Sequence, residues 1–301
     1  MKKKKFLKQI FHLVIIYIPF RILVFFLKLL PIFLYPKIGK IMGKIVFSTM
    51  RKTRKRIIKN IEMAFGKKYS AKEMKKICQQ VLTNVIVNFM ELDQLTKLKE
   101  EKLMKMAEIE GEVILEKFLK ENKGIVAICA HFGNFPIAQT ILSKKGYPIN
   151  MIVRETNNKY LARYSQNWRK KLKVLAIPKW NLKKTIDESQ KWIRKGGILC
   201  FYIDQYHRSG VKCDLFGKTF LAPIGAAVFA RKYDTPVIGI FTYKLETGKH
   251  KIIIEGPYPI KKTKNITEDI IENTTLFMKR IEHYVSKYPE QWFSWLHRMF
   301  R

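Results

Sequence analysis

The chain has 301 residues, with 59 Lys plus Arg against 24 Asp plus Glu and a formal net charge of +35. Apolar residues make up 47% and aromatics 13%, which excludes intrinsic disorder and supplies a core for one large domain or two modest ones. The charge predicts attraction to a polyanion (nucleic acid, anionic lipid headgroups or an acidic carrier protein), and composition does not choose among these.

Residues 6–35, FLKQIFHLVIIYIPFRILVFFLKLLPIFLY, are the most apolar part of the chain. Its longest uncharged run, Gln9–Phe20, has 12 residues, short of the roughly 20 that a membrane span needs. Arg21 and Lys28 interrupt the stretch; seven apart, they fall on nearly one helical face. Pro19 is expected to kink or split any helix there. No small-residue cleavage site follows, which argues against a secretory signal. Lys2–Lys5 flank one side and Lys37, Lys40, Lys44 and Arg51–Arg56 (RKTRKR) the other, so the positive-inside bias puts both ends on the cytoplasmic side. Residues 1–45 are therefore read as an interfacial or re-entrant anchor suited to an anionic membrane surface. A buried core hairpin and a tilted single pass are the alternatives. Residues 46–301 contain no repeat or low-complexity linker and read as a single catalytic or binding domain.

Arg51 to Lys68 reads as a basic helix or turn-helix, stopped at Gly66. Ser70-Ala-Lys-Glu73 is a capping box, and apolar periodicity through Ile77, Val81, Val85 and Phe89 extends a helix to about Leu95. From residue 124 the pattern changes. The run Gly124–Ala130 suits a strand covered on both faces. Ile149–Glu155 follows, then a helix holding Tyr160, Tyr164 and Trp168, and a helix capped by Asn181 and running to about Lys195. Gly197–Ile203, Pro236–Tyr243 and Lys251–Gly256 are further strands, before a long helix from about Thr267 to Ser286. Such alternation predicts an α/β domain with a mostly parallel or mixed central sheet, whose ligands bind beyond the carboxyl ends of the strands.

Three strand ends carry chemistry. The first delivers His131, a candidate general base, with Gly133 for close approach to a substrate and Asn134 to cap a helix or donate a hydrogen bond. The second delivers Arg154, suited to a phosphate or carboxylate, or to an ion pair with Glu155. The third delivers Asp204-Gln205. A metal site of Asp204, His207 and Cys213 fits no standard spacing. GxGxxG, GxxxxGK and GxSxG are all missing, so the nucleotide and serine-hydrolase readings lack their carriers. Cys78, Cys129, Cys200 and Cys213 form no CxxC pair and read as reduced thiols. Two tryptophans beside cations in Pro289–Arg298 suit either a core-covering segment or a membrane-interface belt.

Taken in order, HFGN (His131–Asn134), VRET (Val153–Thr156), DQ with the downstream DLFGKTFLAPIGAAVFA (Asp204-Gln205, Asp214–Ala230) and PEQWFSWLHR (Pro289–Arg298) resemble the bacterial lipid A biosynthesis late acyltransferases, the lauroyl and myristoyl transferases. The resemblance covers nearly the whole chain. It implies a glycerolipid-acyltransferase-like α/β fold, a central mixed sheet flanked by helices, on the cytoplasmic face of the inner membrane. It also implies transfer of an acyl chain from an acyl carrier protein or coenzyme A thioester to a hydroxyl of a lipid A precursor. The partners so implied are the carrier protein, the glycolipid acceptor and an anionic membrane surface, with no cofactor beyond the acyl donor and no nucleic acid. By position, His131 is the base, Asp204 orients it or binds the acceptor, and Arg154 holds a phosphate or developing charge. Gly133, Asn134, Gln205 and Arg298 are further substrate-binding residues. In the family pattern an acid stands five residues after the His; here that residue is Pro136. Asp204 is the preferred substitute, with Glu91 or Asp93 as the fallback. Other acceptors (a lysophospholipid, a phosphatidylinositol mannoside or an aminolipid) and a member that has lost activity are the rival readings.

Overall fold

The computed structural model describes residues 11–179 and 181–300; Lys2–Lys5 of the N-terminal basic flank lie outside the described residues. A π-wound stretch, His12–Tyr17, runs into α1 (Ile18–Leu29), followed by α2 (Tyr35–Thr49), α3 (Arg51–Phe65), α4 (Ala71–Gln94) and α5 (Glu100–Met104). Next come β1 (Ala107–Glu110), α6 (Glu112–Lys120), β2 (Ile125–Cys129), α7 (Phe135–Lys144), β3 (Ile149–Val153), α8 (Lys159–Lys171), β4 (Leu175–Pro178), α9 (Leu182–Arg194) and β5 (Ile198–Tyr202). The chain continues through β6 (Val211–Leu215), β7 (Lys218–Ala222), α10 (Gly225–Tyr233), β8 (Val237–Lys244), β9 (His250–Glu255) and α11 (Ile266–Lys287).

Seven strands form one mixed sheet in the order β1-β9-β8-β2-β5-β3-β4. Every pairing is parallel except β8 with β9. β2 is apolar throughout because both of its faces are covered. Val126 and Ile128 join a core with α3, α4, α10 and α11, whereas Ile125, Ala127 and Cys129 join another with α6 and α7. All four cysteines are free and buried. The expected caps form: Ser70 Oγ accepts from the Glu73 N–H while Glu73 accepts from the Ser70 N–H, and Asn181 caps α9. Gly66 ends α3 at a φ of +56°. Strands β1, whose Ala-Glu-Ile-Glu alternates, and β4, a short Leu-Ala-Ile-Pro, are four-residue edge strands with a single neighbour each. The β6–β7 hairpin turns through Phe216 and Gly217, both with positive φ; a bulky residue at the first position hides the usual turn signal.

The helix is not split at Pro19. Winding is π before it, with the Ile18 N–H bonded to the Leu13 carbonyl, and α after it. The proline sits in the first α turn, where its missing N–H is not needed. His12–Leu29 is thus a continuous 18-residue run with a mean hydropathy of 2.0, of which 11% is buried. That is long and apolar enough to cross a membrane. Both cations have partners: the exposed Arg21 bonds Tyr17 Oη at 3.3 Å and lies over the Tyr164 ring, and Lys28 pairs with Asp93 at 3.3 Å. Ile15, Ile22, Phe25, Phe26 and Leu29 remain exposed, which rules out the buried-hairpin alternative.

Residue 45 falls inside α2, which lies against α4 with no room for side chains at its contact points. A Cβ on Gly39 would stand 2.2 Å from Val87 Cγ2, and one on Gly43 would stand 2.2 Å from Thr83 Oγ1. Gly43→Val is expected to destabilise the protein by about 1–3 kcal/mol through overpacking, read as a lower denaturant midpoint in detergent; an unchanged midpoint would contradict this contact.

Candidate active site

β2 and β5 are parallel neighbours with Cys129 opposite Tyr202. His131 and Asp204, each two residues further on, therefore emerge side by side at the carboxyl edge of the sheet. His131 Nδ1 lies 2.7 Å from Asp204 Oδ1. Asp204 Oδ2 accepts from the His131 backbone N–H at 2.9 Å, from Trp292 Nε1 at 2.8 Å and from Ser294 Oγ at 2.7 Å. Asp204 is completely buried. Burial alone would raise its pKa, but the adjacent His131, with the Ser294 and Trp292 donors, holds it below the ordinary carboxylate value. An ionised, acceptor-only Asp204 requires the proton on Nδ1, leaving Nε2 as the basic lone pair. The His131 side chain is 21% exposed, among the rings of Phe135, Tyr202 and Phe293.

Trp292 and Ser294 stand in a motif whose composition suits core and membrane belt equally, and the hydrogen bonds decide for the core. Trp292 and Trp295 are fully buried. The Phe293 N–H donates to the His131 carbonyl and the Gly133 N–H to the Gln291 carbonyl, both at 2.9 Å. The C-terminal strap thereby clasps the histidine loop. Neither Trp292 nor Ser294 is identifiable as a ligand of Asp204 from sequence, because 88 and 90 residues separate each pair.

Gly133, read for close approach to a substrate, is instead pressed against β8; at a φ of +55°, a Cβ there would stand 2.2 Å from the Thr242 carbonyl oxygen. Asn134 is completely buried and donates to Glu91 Oε2 at 2.9 Å, and Asn88 of α4 donates to the Gly133 carbonyl at 2.9 Å. Glu91 also pairs with Lys244 and with His250 Nε2. Against the raising effect of burial, these two bring its pKa down to about 2. Glu91 is therefore not the partner of His131, and nor is Asp93, which holds Lys28 and Tyr164. Pro136 occupies the first turn of α7, where its ring suits a helix start.

Arg154 follows β3, two strands from β2 on the same edge and so roughly 10 Å across the sheet. It is exposed, and Glu155 pairs with Arg169 instead. Gln205 is half-buried beside Asp204, and Arg298 is exposed beyond the strap. Cys213 lies in β6 with its thiol on the Phe220 carbonyl, so it does not meet Asp204.

A family model, bacterial lipid A biosynthesis acyltransferase, matches residues 2–301. The chain belongs to that family. No curated protein matches the sequence. This lipid A acyltransferase family member thus carries its His–carboxylate contact between two adjacent strands rather than within one loop.

Glu91 titrates near 2 when folded, against 4.5 when free. A depressed carboxylate contributes stability above its free value and loses it as pH falls through the folded value. Glu91→Gln should lower stability at neutral pH by about 3 kcal/mol by stranding Lys244 and His250. It should also flatten the loss between pH 4.5 and about 2. Urea midpoints across that window check both, and parallel curves for the two proteins would contradict the assignment.

Proposed function

We propose that this acyltransferase moves a fatty acyl chain from an acyl carrier protein or coenzyme A thioester to a hydroxyl of a lipid A precursor. The His131–Asp204 pair carries the reading. His131 Nε2 takes the acceptor's hydroxyl proton as the oxygen attacks the thioester carbonyl. The tetrahedral intermediate collapses with loss of the thiolate, which recovers the proton from the imidazolium. Asp204 holds the imidazole and stabilises its cation, as the acid of a hydrolase triad does. Arg154 serves an acceptor phosphate or the developing oxyanion, with Gln205 and Arg298 lining the acceptor side. Gly133 and Asn134 shape the loop beneath. No cofactor besides the acyl donor is required.

The exposed apolar face of His12–Leu29 supports residence at the inner membrane, and basic residues on α2 and α3 support a cytoplasmic catalytic side against anionic lipid. The +35 charge suits an acidic carrier protein and a phosphorylated acceptor.

Purified protein in detergent, offered each thioester with lipid A precursor, should add one acyl chain by mass spectrometry. His131→Ala should lose at least about a hundredfold in rate, within the general-base range. Asp204→Asn should lose a comparable factor by disturbing tautomer and orientation. Transfer that survives His131→Ala would sink the mechanism. Ile22→Lys with Phe26→Lys should release the protein from anionic vesicles, since each removes apolar contact worth about 2 kcal/mol; retention in a sedimentation assay would exclude this face as the anchor.

A further inference from the structure

Arg169, Arg231 and Arg280 pair with carboxylates: Arg169 with Glu155, Arg231 with Asp269 and Arg280 with Glu255. Arg56 of α3 is different. Its Nη1 donates to the Leu296 carbonyl at 3.1 Å, which anchors the guanidinium while leaving its other N–H groups outward. Asn60, one turn on, donates to the carbonyls of Trp295 at 2.9 Å and His297 at 2.8 Å. Together, Arg56 and Asn60 lock α3 onto the strap whose Trp292 and Ser294 hold Asp204. The exposed His297 lies on the same strap, its ring 5.5 Å from Phe293, whose other neighbour is His131 at 6.2 Å. Partial desolvation of its ring lowers the proton affinity of His297 first, then the positive field of His131, against an opposing pull from Asp204 and with a smaller lowering from Arg56. Among the described residues, no Asp or Glu lies within ion-pair distance of Arg56, His297 or Arg298.

We infer that Arg56 and His297 form a phosphoryl-binding subsite beside His131. This inference rests on the acyl-transfer reading for the identity of its ligand. A phosphoryl group offers three acceptor oxygens, enough to take the planar Arg fork and an imidazole N–H together. Uncompensated, carbonyl-anchored positive charge near the reacting histidine suits such a dianion. Two substrates of the reaction carry that group: the glycolipid acceptor on its sugar, and the donor on its pantetheine arm.

The test measures equilibrium binding to the full chain in detergent, not turnover. Two ligand pairs are compared: a lipid A precursor with and without its phosphates, and 4′-phosphopantetheine against pantetheine. The wild type should prefer the phosphorylated member of at least one pair by about tenfold, the scale of hydrogen bonds to a charged group. Arg56→Gln and His297→Gln should each remove most of that preference, and Lys52→Gln, an exposed cation on the same helix, should preserve it. The pair affected names the source of the phosphate. No preference in either pair, a preference that survives both substitutions, or equal loss with Lys52→Gln would overturn the subsite. His297→Gln alters an exposed side chain and tests the proposal even if Arg56→Gln fails to fold. Binding as expected without any acyl transfer would instead overturn the catalytic reading alone.

Discussion

A completely buried aspartate is tolerable only if its charge is met by donors, and Asp204 has four: the backbone N–H and the ring Nδ1–H of His131, the Trp292 indole and the Ser294 hydroxyl. That requirement draws three distant stretches of chain together. The β2 and β5 strands bring the His and the Asp to one edge, and the C-terminal strap must close over them to deliver the remaining donors. The same bonds fix the imidazole tautomer, so the interaction that accommodates the buried charge also leaves Nε2 of His131 as the unprotonated ring nitrogen.

Beneath this pair, α4 acts as a strut between the His131 loop and the N-terminal helix. Asn88 and Glu91 hold Gly133 and Asn134, and one turn later Asp93 holds Lys28 while Gln94 donates to Tyr35. Residues on successive turns of one helix thus connect the apolar helix to the loop that carries His131. Lys28 of α1 is part of this connection, and the exposed Ile15, Ile22, Phe25, Phe26 and Leu29 present an apolar surface that suits contact with lipid.

Legibility from sequence was greatest where a single segment decides the outcome. The apolar runs of β2, β5 and β8, the capping box at Ser70 and the stop at Gly66 each follow from local chemistry, and all are found. The seven-residue spacing of Arg21 and Lys28 correctly put both on one face. Pro19 misled because the sequence does not reveal that the preceding turn is π-wound. The edge strands β1 and β4 have four residues each, and β4 closes on a proline, so neither stands out from a loop by pattern alone.

For the site, the sequence by itself determined which residue types stand at strand ends, and the family motifs marked His131, Arg154 and Asp204. Only the tertiary structure decided that β2 neighbours β5, and hence that Asp204 rather than Glu91 or Asp93 bonds the His131 ring. It likewise decided that Trp292 and Ser294 are ligands of Asp204, and that Glu91 serves Lys244 and His250. The physical reason is the range of the interactions. Helix caps and burial patterns are set by neighbours within a few residues, whereas a hydrogen bond across 73 residues depends on strand order and register, which no local pattern encodes.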